Sequence, residues 1–276
     1  MEKPIRKSLL MWLALSPLVV IILFPFAVMI STSLKSRTEV MAYPPKWFPD
    51  EIRWQNFADM WEAARIGPAV VNSLWVSIAA TVLCLIVAIP AAYAAARMDF
   101  SGLRLFRQFL LVTQMLSPIV LVLGIFRLMA KMGMVDKLPA LVLAYVAFNL
   151  AFAVWMLQAY FQTIPRELEE AAKLDGASSF QRLWLVFLPL ATPAIGITAV
   201  FIFIYCWNEF VLAMTLLRSP ENNTLTFQVF SLVGGRYQIE WEQVMAATLV
   251  ASVPVAIIFA LLQRYLVSGL TVGAVK

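Results

Sequence analysis

Residues 169–193 read EEAAKLDGASSFQRLWLVFLPLATP, and this stretch separates two long apolar runs of the chain. It begins with charged and small residues, contains Asp175-Gly176, and returns to apolar sequence through Pro189 and Pro193. This polar island can be interpreted only once it is known whether the apolar runs around it lie in a membrane or in the core of a soluble protein. The composition of the chain decides between the two.

The composition is that of a membrane protein. Of 276 residues, 62% are hydrophobic and 13% are charged, whereas a soluble domain carries about a quarter charged residues. The formal net charge of +5 comes from scattered basic residues without a basic stripe, so it does not indicate nucleic-acid binding. It fits loops that are retained on the cytoplasmic side of a membrane.

Six apolar stretches without Asp, Glu, Lys or Arg are each long enough to cross a bilayer. A hydrocarbon core about 30 Å thick takes roughly 20 helical residues, and a spanning segment must satisfy its backbone groups internally. The sequence therefore predicts one all-α integral membrane domain over residues 1–276. Its six transmembrane helices are expected at about 9–31, 69–96, 108–130, 139–162, 186–212 and 243–264.

The charges before the first apolar run favour a cytoplasmic N-terminus. Lys3, Arg6 and Lys7 lie there, and basic residues favour the cytoplasmic side. The run is too long for a signal peptide and is expected to stay as an uncleaved helix. An even number of spans then places both termini in the cytoplasm. The segment of about 32–66 becomes an ordered outer loop, with Trp47, Trp54 and Trp61 as expected interface anchors.

Residue types needed for common catalytic sites are missing from the sequence. There is no histidine, and the two cysteines, Cys84 and Cys206, lie in separate apolar runs. Neither a zinc-ligand cluster nor a histidine-dependent triad can be formed from these residues. A glycine-rich phosphate loop of the G-x-x-x-x-G-K-[ST] type is also absent. We therefore expect no catalytic residue, no metal site and no bound cofactor in this chain.

The polar island is predicted to form two short helices joined by a sharp turn. The Thr163 hydroxyl is expected to cap the first helix and Pro165 to lie in its first turn, with acidic residues in its first turns near the positive end of the helix dipole. Asp175-Gly176 is expected to end it, because glycine accepts a left-handed conformation. An ordinary solvated loop is the alternative interpretation of this segment.

A second helix is predicted to begin directly after that turn. Ser178 and Gln181 have the spacing of a capping box, and Pro189 with Pro193 can bend the helix as it enters the membrane. Ala171 and Ala172 keep the surface around the turn small. Small residues and paired caps favour the first of two interpretations: an elbow on which another protein docks, rather than an ordinary solvated loop.

The same residues resemble the EAA motif of ABC-importer permeases. The resemblance is carried by Glu170, Ala171, Ala172, Gly176, Val186, Leu188 and Pro189 at the family spacing. Two further stretches, YCWNEFVLAMTLL at 205–217 and QRYLVSGLTVGAVK at 263–276, are similar to the MalG-like branch of maltose-type sugar permeases. The resemblance covers nearly the whole chain.

This resemblance implies a type I ABC importer permease fold in a bacterial or archaeal cytoplasmic (inner) membrane, with a core region at about 69–264 and a cytoplasmic coupling loop at 163–185. It implies a second homologous permease chain, an ATPase homodimer that holds ATP and Mg, and an extracytoplasmic solute-binding protein. The ATPase-coupling residues would be Glu170, Ala171, Ala172, Asp175, Gly176, Leu188 and Pro189. The C-terminal tail, with Gly269, Thr271 and Gly273, would contact the ATPase.

Polar residues within the apolar runs are candidates for the solute pathway, because such residues face a cavity or a neighbouring helix. The candidates are Gln114, Ser117, Asn149, Tyr205, Asn208 and Glu209. For Gln114 and Asn149, cavity lining and hydrogen bonding between helices remain open. For Asn208 and Glu209, contact with cargo and gating of the outer mouth remain open. Tyr145, Trp155, Tyr205 and Trp207 would stack on sugar rings or pack between helices.

The sequence thus predicts a carbohydrate-importer permease subunit that couples to an ATPase. A closely related alternative is the same machine with glycerol 3-phosphate or a polyol as cargo. An ion-coupled transporter would need acidic residues at mid-span, which the six apolar stretches lack. A membrane enzyme is disfavoured by the missing catalytic groups.

Overall fold

The computed structural model describes residues 3–234 and 239–272, and no residue in these ranges lies in a β-strand. The helices that precede the polar island are α1 (Lys3–Ser33), α2 (Arg37–Val40), α3 (Gln55–Ala63), α4 (Ile66–Arg97), α5 (Leu103–Met115), α6 (Pro118–Lys131) and α7 (Leu138–Thr163). Those that follow α7 are α8 (Arg166–Leu174), α9 (Ser179–Arg182), α10 (Leu188–Leu190), α11 (Thr192–Asn208), α12 (Val211–Leu216), α13 (Leu225–Val233) and α14 (Trp241–Val272). A π-helical segment, Leu183–Phe187, lies between α9 and α10, and a 3-10 turn, Pro220–Asn222, follows α12.

Among the described residues, four single helices are long and apolar enough to cross a membrane. They are α4, α7 and parts of α1 and α14. Two bent pairs, Leu103–Met115 with Pro118–Lys131 and Ser179–Leu190 with Thr192–Asn208, raise the number to six if each pair forms one span. The all-helical membrane architecture expected from the sequence is confirmed.

The third predicted helix, at about 108–130, is not continuous. It divides at Leu116–Ser117 into α5 and α6, which meet at 101°. Ser117 has an extended backbone (φ −70°, ψ 136°), and Pro118 begins α6. The residue before a proline is pushed out of the helical region, and proline has no N–H to continue the ladder. These two effects explain the break that the apolar run concealed.

One compact unit falls within Pro68–Phe227 and Pro254–Lys276, and its core is an apolar cluster built from several of its helices. α4 faces this core with side chains spaced four residues apart, which places them on one face of the helix. They are Val76, Ala80, Cys84, Ala88 and Ala92, all 1% exposed or less. This mostly small-residue face leaves room for larger core residues such as Tyr145 and Leu212.

Hydrogen bonds at the two ends of α4 show which loops of this unit share an end. At its start, Asn72 Nδ2 donates to the carbonyl oxygens of Glu221 (2.8 Å) and Asn223 (3.1 Å). At its end, Arg97 donates to carbonyl oxygens of Phe161 and Ile164. The loop after α12 and the polar island therefore lie at opposite ends of α4, as the predicted alternation of spans requires.

The other unit falls within Met1–Gly67 and Gln228–Val253 and contains the ordered loop after α1. Glu39 Oε2 accepts hydrogen bonds of 2.7 Å from the Ser36 hydroxyl and the Ser36 N–H, and its Oε1 accepts one from Asp50 N–H at 2.7 Å. These bonds lower the pKa of Glu39 to about 2. Buried Asn56 donates to carbonyl oxygens of Ser33 and Lys35, both at 2.8 Å. The loop is thus tied down by its own polar side chains.

The turn between α6 and α7 depends on one carboxylate, Asp136. It has a left-handed backbone (φ 63°), and its Oδ1 accepts hydrogen bonds from the N–H groups of Arg218 (2.9 Å) and Ser219 (3.0 Å). The Ser219 hydroxyl donates to Oδ2, and Asn222 Nδ2 donates to Oδ1 at 3.2 Å. These donors, led by the Ser219 hydroxyl, hold the pKa of this carboxyl well below its usual range. The ionised form is the one that joins the two loops.

We expect Asp136→Asn to lower the free energy of unfolding at pH 7 by about 1–2 kcal/mol, because an uncharged amide replaces a carboxylate that accepts several hydrogen bonds. Asparagine tolerates the left-handed backbone, so the change removes the charge and one acceptor oxygen without straining the backbone. Because the folded-state pKa is depressed, the stabilisation is present above the unfolded value of about 3.9 and is lost as pH falls below it. Thermal unfolding in detergent should show a difference between the two proteins that narrows from pH 5 to pH 3. Asp99→Asn, at an exposed position, is the control and should show no such difference.

Candidate functional site

We call residues 163–185 the elbow, and its first helix begins differently from the prediction. Thr163 ends α7, and its hydroxyl donates to the Tyr160 carbonyl oxygen at 2.7 Å. α8 has Pro165 as its N-cap, without a side-chain hydrogen bond. The expectation that Thr163 caps α8 is wrong, because a threonine at the end of a helix can bond back to the preceding turn instead. Acidic residues do occupy the first turn of α8, as expected.

The turn after α8 is a Schellman motif. Gly176 is left-handed (φ +81°), its N–H donates to the Lys173 carbonyl oxygen at 3.0 Å, and Ala177 N–H donates to Ala172 O at 2.9 Å. This pair of bonds satisfies carbonyl groups that a helix end otherwise leaves unpaired. The predicted stop at Asp175-Gly176 is confirmed, with Asp175 as the C-cap.

The second half of the elbow begins with the predicted capping box. Ser178 N–H donates to Gln181 Oε1 at 2.8 Å, and Gln181 N–H donates to Ser178 Oγ at 3.3 Å. Both orphan donors at this helix start are thereby satisfied. Because Ala177 alone separates Gly176 from Ser178, the two capped helices are joined without a flexible linker.

Two prolines shape the way the chain leaves the elbow. Pro189 cannot donate to the carbonyl of Leu185, and a wide π turn precedes it, in which Leu188 N–H bonds to Leu183 O. The helix then bends by 80° between Ser179–Leu190 and Thr192–Asn208. Pro193 has no N–H to donate to the carbonyl oxygen of Pro189, four residues earlier. The Thr192 hydroxyl donates to this oxygen instead, at 2.9 Å. The predicted helix at about 186–212 is therefore segmented.

The outward face of the elbow combines charge with exposed apolar and small residues. Leu174 is 90% exposed, and Glu170, Ala171, Asp175 and Gly176 are also exposed, while Ala172 is half-buried. No hydrogen bond or ion pair of the Glu170 side chain is found within the described ranges. A protruding, capped turn with a leucine at its tip presents a surface that a partner protein would cover.

Sequence reasoning missed the residues that hold the elbow from within. Glu169 is 5% exposed, and its Oε1 lies 3.2 Å from Lys173 Nζ and 3.6 Å from Arg182 Nε. Arg182 Nε also donates to the Tyr93 hydroxyl of α4 at 3.4 Å. The i,i+4 spacing of Glu169 and Lys173 was a usable signal; the contact with Arg182 was not visible without the turn.

Two of the pathway candidates are engaged within the protein. Asn149 is 5% exposed; its Nδ2 donates to Tyr145 O at 2.8 Å and lies 3.9 Å from Cys206 Sγ of α11. Glu209 follows α11 and binds the start of α12: its Oε1 accepts from Leu212 N–H at 2.9 Å and its Oε2 from the Tyr145 hydroxyl at 2.9 Å. The observed contacts of both residues are helix–helix or helix-capping contacts.

The other candidates lie at more accessible positions. Gln114 is exposed and lines a cavity of about 250 Å³ with Leu110, Leu111, Phe152 and Trp155. Ser117 is exposed at the break between α5 and α6. Tyr205 is half-buried, and Asn208 is exposed, with its Nδ2 bonded to Ile204 O of the same helix. The structure does not bring the six candidates together into one cluster.

The structure describes only two of the three residues predicted for the tail contact with the ATPase. Gly269 and Thr271 belong to α14, and Gly273 lies outside the described residues. In the described part of the chain, no group of three or more Cys, Asp or Glu side chains could hold a metal ion.

Comparison with known proteins then places this fold in a family. A family model described as "Binding-protein-dependent transport system inner membrane component" matches residues 85–272, which include the elbow. The chain belongs to this family. It is therefore a component of a transport system of the inner membrane, and we refer to it below as the permease.

Two relatives align with the permease over most of their length. The "Inner membrane ABC transporter permease protein YcjP" of Escherichia coli (strain K12) is 36% identical over 260 residues, covering 93% of this chain and 92% of the relative. The "Diacetylchitobiose uptake system permease protein DasC" of Streptomyces coelicolor is 35% identical, covering 92% of each protein. The resemblance to ABC-importer permeases drawn from the EAA motif is confirmed.

A solved structure shows the same fold. A chain from the "Crystal structure of a bacterial ABC transporter involved in the import of the acidic polysaccharide alginate" superposes with a TM-score of 0.80, covering 96% of the permease and 98% of that chain, at 23% identity. The type I importer permease fold expected from the sequence is thereby confirmed.

We expect Gly176→Ala to loosen the elbow by about 1–2 kcal/mol, since a Cβ at φ +81° strains the backbone. Nothing lies within 4 Å of the added Cβ, so the strain would come from the backbone alone. Amide hydrogen exchange should show faster exchange in 163–185, with a smaller effect for Gly176→Asn. Gly124→Ala, which also meets open space but lies inside α6, is the matched control and should leave exchange in the elbow unchanged.

Proposed function

We propose that this chain is the permease subunit of an ATP-driven carbohydrate importer and that the elbow is the helix that couples it to a separate ATPase subunit. The observation that carries this proposal is an exposed polar turn that is capped on both sides and joined without a flexible linker to the bent candidate span that follows it. Movement of such a turn would be passed on to the helices, whereas a flexible loop would absorb it.

The exposed residues of the elbow supply the chemistry for docking. Glu170 offers a free carboxylate for a basic residue of the ATPase, and Leu174 offers an apolar tip for a cleft. Ala171, Ala172 and Gly176 let the partner backbone approach, and Asp175 ends α8 just before the turn. Leu188 and Pro189 begin the segment that carries the movement into α11.

The remaining partners follow from the division of labour in such a machine. A second, homologous permease chain would complete the pathway, and a solute-binding protein would deliver cargo on the outer face. An ATPase homodimer would hold ATP and Mg, and this chain would bind no cofactor. Both termini would lie in the cytoplasm, and the tail containing Gly269, Thr271 and Gly273 would extend toward the ATPase.

Carbohydrate is the cargo class that the relatives favour. The Streptomyces relative is named for diacetylchitobiose uptake, and the structural neighbour is described as importing alginate. Glycerol 3-phosphate or a polyol is the alternative cargo for the same machine. An ion-coupled transporter would need a free carboxylate within the membrane, whereas the carboxylate of Glu209, at the end of α11, is occupied by Tyr145 and the start of α12.

We expect Glu170→Ala and Gly176→Pro to leave membrane insertion intact but to lower solute uptake per ATP hydrolysed, by about tenfold for Gly176→Pro. Proline cannot adopt the positive φ of this position, so the turn would be remodelled. The measurement is uptake and ATP hydrolysis in proteoliposomes that contain both permease chains, the ATPase and the binding protein.

Glu167→Ala is the matched control, because Glu167 is an exposed acidic residue of the same helix that the proposal does not use. It should behave like the unaltered protein. Normal coupling in the Gly176→Pro protein, or solute uptake by the permease chains without any ATPase, would refute the proposed role.

We further propose that Gln114 faces the solute pathway. It lies eleven residues after the start of α5, about 17 Å along that helix and within the predicted span of about 108–130. An exposed amide within a membrane span is costly against lipid. Trp155, 55% exposed, lines the same cavity and would offer an aromatic face to a sugar ring while the amide bonds to a hydroxyl.

We expect Gln114→Leu to raise the KM for uptake by roughly 2- to 12-fold, the loss of one hydrogen bond of about 0.5–1.5 kcal/mol. Uptake kinetics at saturating ATP would measure this, with solute delivered by the binding protein. Gln108→Leu is the control, because Gln108 is an exposed amide of the same helix that does not line the cavity. Equal KM values for the two variants would contradict the pathway role.

A further inference from the structure

Arg182 is a junction between the two halves of the elbow and α4. Its Nη1 donates to Ala177 O at 3.0 Å and its Nη2 to Ser179 Oγ at 3.0 Å, so it holds the turn and the start of α9. Its Nε faces Glu169 of α8 and donates to the Tyr93 hydroxyl of α4. One guanidinium therefore contacts α8, the turn, the start of α9 and α4.

The contact with α4 continues into a buried aromatic cluster. The ring of Tyr93 packs edge-on against Phe187 with centroids 4.9 Å apart, and against Phe161 at 6.4 Å. Phe161 and Phe187 are 5.9 Å apart at 85°. Phe161 belongs to α7 and Phe187 to the π segment, so the three rings join the helix before the elbow, the segment after it and α4.

Arg97, the last residue of α4, contacts the same cluster one helical turn after Tyr93. Its guanidinium lies 5.0 Å from the centroid of the Phe187 ring, and it donates to carbonyl oxygens of Phe161 and Ile164 at the end of α7. These bonds add a donor at the end of α7, where backbone carbonyl groups run out of intrahelical partners, although Phe161 O also accepts from Ile164 N–H at 3.3 Å. α4 thus contacts both the end of α7, which precedes the elbow, and the π segment in which the elbow ends.

The burial of Glu169 separates this arrangement from the docking face. Glu169 is 5% exposed and the Arg182 side chain 13% exposed, whereas the neighbouring Glu170 is exposed. Adjacent glutamates on α8 point to different tasks, because a buried carboxylate already paired with Arg182 is not free to pair with another protein. Removing one member of a buried ion pair leaves the other charge uncompensated.

From these contacts we infer that Glu169, Arg182 and Tyr93 form a brace that fixes the angle of α8 to α4, so that movement of the elbow is delivered to the membrane helices. These three are positioning residues, since none of them is part of the docking face or the cavity. The inference rests on the proposed coupling function. It assigns to the brace the transmission of force rather than the binding of the ATPase.

The test uses the whole transporter in proteoliposomes, with Glu169→Gln, Arg182→Gln and Tyr93→Phe in this chain. Each variant should still bring down the ATPase on purification. Solute uptake per ATP hydrolysed should fall by roughly 2- to 30-fold, the range for substitutions within a coupling network. The double variant Glu169→Gln with Arg182→Gln should be little worse than either single one, because both remove the same contact.

Two further variants separate positioning from general stability. Arg182→Lys keeps the charge beside Glu169 and should restore part of the coupling, although it loses the fork that holds Ala177 and Ser179. Lys173→Gln removes the other cation beside Glu169. The Lys173 side chain is 50% exposed, so this variant should couple normally. Tyr93→Phe keeps the aromatic cluster, so it reports on the hydroxyl contact even if an arginine variant folds poorly.

The outcomes distinguish the brace from the proposed function. If Gly176→Pro uncouples the transporter but the brace variants transport normally per ATP, the brace is refuted and the coupling elbow stands. Reduced protein yield with an unchanged uptake-to-ATP ratio in the assembled complexes would also refute it. If the unaltered permease brings down no ATPase, the proposed function itself fails.

Discussion

A backbone amide or carbonyl in the membrane has no water to bond to, and the prolines of this chain repeatedly break the helical ladder that would satisfy it. The responses differ from place to place. At Ser117-Pro118 the helix stops and restarts at a right angle. At Pro189 the turn widens into a π segment, and beyond it the Thr192 hydroxyl bonds to the carbonyl left by Pro193. The positions of the bends, and with them the shape of the elbow, follow from how these backbone groups are satisfied.

Polar side chains near the breaks have the same task. Glu209, one of the pathway candidates, binds the first amides of α12 where α11 ends. Asp136 likewise binds the backbone N–H groups of Arg218 and Ser219 in the loop after α12. An acidic residue at the edge of a membrane protein is thus as well explained by an exposed helix start as by a solute, and only its bonding partners separate the two explanations.

Local signals allowed much of the elbow to be predicted from the sequence. The stop at Gly176 and the capping box of Ser178 and Gln181 depend on residues within a few positions of each other, and both were found as expected. The prediction that Thr163 caps α8 was wrong because its hydroxyl could bond either to the start of α8 or back to the last turn of α7. The spacing of the residues does not decide between these two partners. The break at Ser117 was missed because an apolar run long enough to span also suits two bent helices.

Contacts between distant segments were beyond the sequence. Arg182 and Tyr93 are 89 positions apart, and Arg97 reaches carbonyl groups 64 and 67 positions away. No periodicity encodes such partners. The burial of Glu169 and the exposure of Glu170, which share a residue type and a helix, likewise depend on which face of α8 meets the rest of the protein.

The leucine at the tip of the elbow has a consequence for the life of the protein in the cell. Leu174 is 90% exposed, and in the proposed arrangement it lies on the cytoplasmic side, where exposed apolar side chains attract chaperones and proteases. A copy synthesised in excess would display this surface permanently. We expect such orphan copies to be degraded, so that the abundance of the subunit is matched to the supply of its companions by turnover as well as by gene expression.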